Sequence, residues 1–249
     1  MAKLCEDGWV KTYLVTDVRD MKQWSMRAYS KQNPAFDAQA VLAEPRMTFR
    51  LNHPVIPQLL EVVEDNLNMY VLREHAWGRP MDVLLQEHGA LPPKVAVKWG
   101  ITLCYALQHL HTQNPPLIYR SMKPANVSVY PDGVTLKLTS FNTLRVYDPR
   151  KTGDTENLGT VGYAAPEQFS GALQSDFRTD IYGLGMTMYH MLTGHNPSQP
   201  PYGIQMIRQK NPAVSAELEA IVLRCIDPNP ANRFQSCAQL LAALEAVAL

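Results

Sequence analysis

Arg120, Lys123 and Asn126 fall within seven positions of one another, with Ser121 among them. Two cations, an amide and a hydroxyl at that density are more than the edge of an apolar strand needs. As donors and neutral oxygens they can contact an anion such as a phosphate. They include no carboxylate to take up a proton or to hold a divalent cation. A second polar group, Ser140 and Asn142 around Phe141, follows downstream.

The elements that must position these groups can be read from the pattern. Val127–Tyr130 and Val134–Leu138 are rich in β-branched and aromatic residues and are separated by Pro131, Asp132 and Gly133, which is a strand, turn and strand. Upstream, Lys94–Thr112 carries Val97, Ile101, Leu103, Cys104, Leu107 and Leu110 at helical spacing. A shorter helix, Met81–His88, is stopped by Gly89. His109 and His111 lack partners at metal-ligand spacing and read as helix surface or end residues. The first third of the chain is strand-like at Val10–Thr16 and Gln23–Ala28, around a polar turn at Asp17–Lys22, and again at Leu59–Val63 and Met69–Arg73. Its helical candidate is Pro34–Arg50, closed by the proline-bounded turn Leu51–Pro57. Downstream, Ile181–Gly194, Ala216–Cys225 and Cys237–Ala246 read as helices, the last capped by Ser236 with Gln239 in its capping box.

Tyr119–Asn126 (YRSMKPAN) and Ser140–Asn142 (SFN) together resemble the catalytic and metal-binding loops of a protein kinase, which the family writes H-R-D-x-K-x-x-N and D-F-G. Gly159–Glu167 (GTVGYAAPE) resembles the end of a kinase activation segment. Asp176–Gly185 and the NPANRF stretch around Arg233 continue the family's order, and GYAAPEQF with IDPNPANRFQSCAQL looks like a bacterial eukaryotic-type serine/threonine kinase. The resemblance implies an α+β, bilobal fold: a strand-rich lobe over 3–74, a linker over 75–78 and a helical lobe over 79–249. It also implies roles. Glu167 pairs with Arg233 as a structural ion pair, and Asp180 accepts bonds from the backbone of the Arg120 loop. Glu44, Arg120, Lys123, Asn126 and Phe141 stand at further retained family positions.

The departures matter as much. Ser121 replaces the carboxylate that orients the substrate hydroxyl, Ser140 replaces the metal-binding carboxylate, and Asn142 replaces the following glycine. Arg27 stands for the phosphate-pairing lysine, and a planar fork is not a flexible point charge. Its expected partner is Glu44, or else its head lies in solvent. Of the glycine-rich phosphate cover only Gly8 remains in Cys5–Thr12, where the side chains of Cys5, Trp9 and Val10 would crowd a bound phosphate; an ordinary turn glycine is the other reading. Pro45 follows Glu44 directly, so a kink or helix end is expected there. Arg73 falls at the back of the adenine pocket, an unwelcome charge unless a carboxylate pairs with it. If a nucleotide binds, its contacts are Gly8, Arg27, Glu74, Lys123 and Asn126. No metal site is expected.

The chain has 249 residues, 46% of them hydrophobic and 18% charged, with formal net charge 0. That balance gives no electrostatic argument for nucleic acid or for an anionic membrane. The four cysteines form no C-x-x-C pair and read as free thiols. No run approaches a membrane span, and the N-terminus lacks an apolar signal core. Location in the cytoplasm is expected, either free or as the cytoplasmic domain of a longer membrane-anchored protein. The main expectation is a catalytically inactive, kinase-like regulatory or scaffolding module without a cofactor. It would bind a protein partner through the groove of the helical lobe, the Ser140–Glu167 loop or the Glu44 helix. The alternatives are a weak serine/threonine kinase, with Asp148 or Asp154 as relocated carboxylate, and a sensor that binds ATP weakly, without metal and without phosphotransfer.

Overall fold

A computed structural model describes residues 1–153, 159–170 and 174–247. The chain forms two compact units, Met1–Trp77 and Gly78–Leu249. The architecture is the bilobal one of a kinase: a strand-rich N-terminal region and a helical C-terminal region.

In the first unit, β1 (Ala2–Asp7), β2 (Val10–Thr16), β3 (Gln23–Ser30), β4 (Leu59–Glu64) and β5 (Asn68–Glu74) form one antiparallel sheet in the order β1-β2-β3-β5-β4. β1 and β2 stay paired up to Asp7 and Val10, which leaves Gly8 and Trp9 as a tight turn. Gly8 takes φ +59°, a conformation that a Cβ disfavours. Trp9 turns toward the sheet and packs edge-on against Tyr29 and Phe36, with ring centroids 5.6 and 6.3 Å away. Beneath lies a small core of Val41, Leu59, Met69 and Val71, each such side chain worth about 1.5–3 kcal/mol when buried.

Val41 belongs to α1 (Ala38–Thr48), capped by Asp37, whose side chain accepts from Gln39 N. Here the structure corrects the expectation of a helix end. Pro45 lies inside the helix, and α1 continues through it. The missing N–H removes one bond, that to the Val41 carbonyl, but the next turn is intact: Phe49 N donates to Pro45 O at 2.9 Å and Thr48 Oγ1 donates to Glu44 O at 3.0 Å. Pro45 is itself buried, so packing holds a turn that intrinsic propensity alone would open.

The second unit opens with β6 (Arg79–Pro80), α2 (Met81–His88) and α3 (Pro93–His111). It continues with β7 (Leu117–Ile118), β8 (Val127–Val129), β9 (Leu136–Leu138) and β10 (Arg145–Val146). β8 and β9 pair as the expected hairpin, with β6 on the other edge of β8, while β10 pairs with β7. After α4 (Glu167–Ser170) comes α5 (Phe177–Thr193), almost wholly buried, then α6 (Ile207–Lys210), α7 (Ala216–Cys225) and α8 (Cys237–Glu245).

α3 and α5 form the centre. Pro93 starts α3, where a missing N–H costs nothing. α5 begins with a capping box between Asp176 and Thr179 and ends at Gly194 in the left-handed region, φ +67°. The helices approach closely where Gly100 meets Met188: a Cβ at Gly100 would stand 2.8 Å from Met188 Sδ. Ser236 caps α8 by accepting from Gln239 N, while the Gln239 side chain accepts from Gln235 N rather than closing the box on Ser236. All four cysteines are free, Cys5 exposed and the others buried. Among the described residues no helix is long and apolar enough to cross a membrane.

Candidate functional site

The polar cluster singled out in the sequence lines a cavity of about 340 Å³ in the second unit, with Arg120, Ser121, Lys123, Asn126, Ser140 and Asp180 in its wall. The strand β7 leads into it and the β8–β9 hairpin leads out, so Ser121 and Ser140, nineteen positions apart in the chain, share one wall. The loop is tied down from below. Asp180, in the first turn of α5, accepts from Tyr119 N at 2.8 Å and from Arg120 N at 2.7 Å. Arg120 itself takes φ +63°, a strained region for a non-glycine residue. Its side chain donates from Nε to Thr143 O at 2.8 Å. Those bonds over-determine the turn.

His111 adds a contact that sequence reasoning missed. It is the last residue of α3, as expected, but its side chain turns inward, with Nε2 2.8 Å from Asp180 Oδ2. A histidine at the end of an apolar helix carries no periodic signal of this, because its partner lies sixty-nine positions away. Phe141 is buried too, its ring edge-on to Tyr119 at 5.6 Å.

The upper groups of the cavity satisfy one another. Asn126 Nδ2 donates to Ser121 O at 2.8 Å, Ser140 Oγ donates to Asn142 Oδ1 at 2.7 Å, and Lys123 Nζ donates to Thr160 Oγ1 at 2.8 Å. Ser121 Oγ is buried with no hydrogen-bond partner among the described residues. Asp180 is the one carboxylate among the described lining residues, and its oxygens are already engaged. Hydroxyl and amide oxygens are poor ligands for Mg²⁺, which asks for carboxylates or phosphates to offset its dehydration. No group of three His, Cys, Asp or Glu side chains that could hold a metal occurs among the described residues.

Asp148 is engaged by its own neighbour. It accepts from Arg150 Nε and N at 3.0 and 3.1 Å, and that arginine holds its carboxyl down at about 2. It lies outside the cavity wall. Asp154 lies outside the described residues.

In the first unit, Glu44 is shared between two arginines. Arg73 Nη2 stands 2.7 Å from Glu44 Oε1, while Arg27 Nη1 reaches Oε2 at 3.4 Å. The expected Arg27–Glu44 contact is present but is the longer of the two. Burial works against the charge on both arginines. At Arg27, Glu44 and Tyr29 more than offset it and the pKa rises; at Arg73 burial wins and the pKa falls. Arg73 has thus found the carboxylate its position demands. Glu74 closes β5, accepting from Gln58 N at 3.2 Å.

Glu167 and Arg233 form a buried bidentate pair, 2.7 and 2.9 Å. The chain matches the protein kinase domain family over residues 8–244. It belongs to the protein kinase family. Among curated relatives, a probable serine/threonine-protein kinase of Clostridium perfringens is 30% identical over 210 residues, 79% of this chain and 30% of the relative. A probable serine/threonine-protein kinase of Corynebacterium efficiens is 29% identical over 218 residues, 79% of this chain and 32% of the relative. The serine/threonine-protein kinase PknB of Mycobacterium tuberculosis is 28% identical over 258 residues, 95% of this chain and 40% of that protein. This kinase-family chain therefore spans 30 to 40% of the length of these relatives. The kinase fold carries a potential capacity for ATP.

Proposed function

We propose that this kinase-family domain is a regulatory or scaffolding module that binds a protein partner and does not transfer phosphate. One observation carries the reading: Ser121 and Ser140 stand in the cavity wall where the family's loops place carboxylates, and the surrounding polar groups bond to each other. Phosphoryl transfer needs a group to orient the hydroxyl, a metal to bridge the phosphates and donors to close over them. Among the described residues Ser121 Oγ has no hydrogen-bond partner to act as its base. Ser140 brings no charge to a metal. The Cys5–Thr12 hairpin is a tight paired turn with one glycine. The partner would meet the groove of the helical unit, the Ser140–Glu167 stretch or the Glu44 helix, with the domain in the cytoplasm.

The relatives' names favour a second reading, a weak serine/threonine kinase that binds ATP through Lys123, Asn126 and Arg27. Calorimetry at millimolar ATP, with Mg²⁺ and then with chelator, together with labelled-phosphate transfer, separates the two. The expected result is no Mg²⁺-dependent binding tighter than roughly 100 µM, inside the usual range of substrate affinities, and no transfer. The double variant Ser121→Asp/Ser140→Asp is expected to stay inactive, because the hairpin and Arg27 are unchanged. Tight binding abolished by chelator, or transfer by the wild-type chain, would establish the kinase reading instead.

A further inference from the structure

The cavity around Ser121 and Ser140 is positive on balance. Among its described lining residues the cations are Arg120 and Lys123, and the carboxylate is Asp180. Asp180 is turned to partners of its own: Oδ1 accepts from Arg120 N, and Oδ2 accepts from Tyr119 N and lies 2.8 Å from His111 Nε2. Its charge is spent on holding the loop. The kinase family places two further carboxylates here, and this chain has hydroxyls at both positions. A carboxylate only accepts hydrogen bonds, whereas a hydroxyl also donates. The two replacements therefore turn a wall that repels anions into one that can hold them.

The donors are at hand. Lys123 Nζ donates to Thr160 Oγ1 at 2.8 Å, a neutral partner that leaves the ammonium charge uncancelled and two of its three donors over. Ser121 Oγ has no hydrogen-bond partner among the described residues, so no bond opposes its turning toward a ligand. Asn142 accepts from Ser140 Oγ through Oδ1 and still brings the two N–H donors of its amide. The cavity, about 340 Å³, is large enough for a side chain. Beside it stand Val161 and Phe169, each next in the chain to a residue of the wall and each exposed.

We infer that this cavity binds the phosphate monoester of a phosphorylated serine or threonine on a protein partner, with Lys123 as its counter-ion. Such a group carries close to two negative charges at pH 7 and three strong acceptor oxygens. It matches a wall of one uncancelled ammonium, a hydroxyl without a partner and an amide N–H₂ better than a neutral side chain does. No metal is needed, because the ligand brings its charge to a cation rather than to a carboxylate. The exposed Val161 and Phe169 give the residues flanking the phosphate an apolar surface. The domain thus reads a phosphate that another enzyme has added. The inference rests on the reading of this domain as a protein-binding module without phosphotransfer, and it names the modification that the module recognises.

The test is calorimetric titration of the whole domain, with chelator and without nucleotide, using the acetylated peptide amide Ala-Leu-phosphothreonine-Leu-Ala and its unphosphorylated twin. Inorganic phosphate and metal-free ATP are titrated in parallel. The phosphopeptide is expected to bind about ten- to a hundredfold tighter than its twin, the range of a charge-assisted hydrogen bond, and at least about tenfold tighter than either small ligand. Ser121→Asp puts back the family's carboxylate, so the fold has room for it, and it is expected to remove the preference for the phosphopeptide by a similar factor. Lys123→Met keeps the length of the side chain without its charge and is expected to do the same. Binding of the unphosphorylated twin and the thermal midpoint, read on both variants, separate a lost contact from a lost fold. Equal or undetectable binding of the two peptides, or a phosphopeptide preference unchanged in either variant, would overturn the inference. So would inorganic phosphate or ATP binding as tightly as the phosphopeptide, which would make this a site for a free phosphate or a nucleotide. Phosphotransfer is measured separately, so failure here leaves the proposed function standing, and detected transfer leaves these nucleotide-free affinities unaffected.

Discussion

Replacing Arg233 with Ala is expected to lower the unfolding free energy by about 3–5 kcal/mol, the cost of breaking a buried ion pair by removing one member. The side chain of Arg233 is 0% exposed and that of Glu167 is 4% exposed. All five guanidinium donors are used. Nε meets Asp227 O, Nη1 meets Glu167 Oε1 and Arg178 O, and Nη2 meets Glu167 Oε2 and Pro228 O. The guanidinium also lies 4.8 Å over the Tyr182 ring. Alanine would remove both of these bonds to the Glu167 carboxylate, which also accepts from Thr179 Oγ1. It would also remove a donor from three carbonyls and leave a cavity. Arg233→Lys keeps the charge but not the fork, so it is expected to recover only part of the loss. Urea unfolding monitored by fluorescence and far-UV circular dichroism measures both. A midpoint change worth less than about 1 kcal/mol for the alanine variant would place the pair among exposed, weakly contributing bridges.

That pair and the hairpin were legible in the sequence because both are local or motif-bound. Pro131-Asp132-Gly133 announces a turn by its own chemistry, and the retained Glu167 and Arg233 carry a pairing that their motifs imply. Asp180 was legible for the same reason: the family frame ties it to the backbone of the Arg120 loop, and two backbone N–H groups meet it there.

What escaped was set by tertiary contact. Pro45 reads as a helix breaker, but a local penalty yields where the ring is buried and the next turn keeps its bonds. Arg73 and Arg27 both lie on strands beside α1, and nothing in the spacing says which is nearer Glu44; the structure gives the closer bond to Arg73. The His111 contact was invisible for a related reason. Its partner, Asp180, comes from a segment far along the chain.

Acid is expected to destabilise the domain through His190 by about 2 kcal/mol at pH 5 and about 3 kcal/mol at pH 4, relative to pH 7. The side chain sits on α5 in a residue only 3% exposed. Burial first, and the neighbouring His195 second, bring it from the ordinary 6.5 to about 4. The sign follows from proton counts. Between about pH 4 and 6.5 the unfolded chain binds a proton at this position that the folded chain refuses, so stability rises with pH across that window. The contribution is complete above 6.5 and is lost progressively below it. The titratable groups around it are Tyr163, His195 and Asp82. Burial raises the Tyr163 phenol, so it keeps its proton throughout and changes no charge in this range. Other carboxylates also titrate in acid, so the informative quantity is a difference between two proteins. His190→Asn keeps a polar atom near Nδ1 for the Tyr163 hydroxyl and removes the titration. Unfolding free energies of both proteins at pH 7, 6, 5 and 4 are expected to converge as pH falls, with the wild type losing about 2 kcal/mol more than the variant by pH 5. Parallel curves would mean that His190 takes up its proton as easily in the folded chain as in the unfolded one, and that its contact with Tyr163 does not depend on a neutral ring.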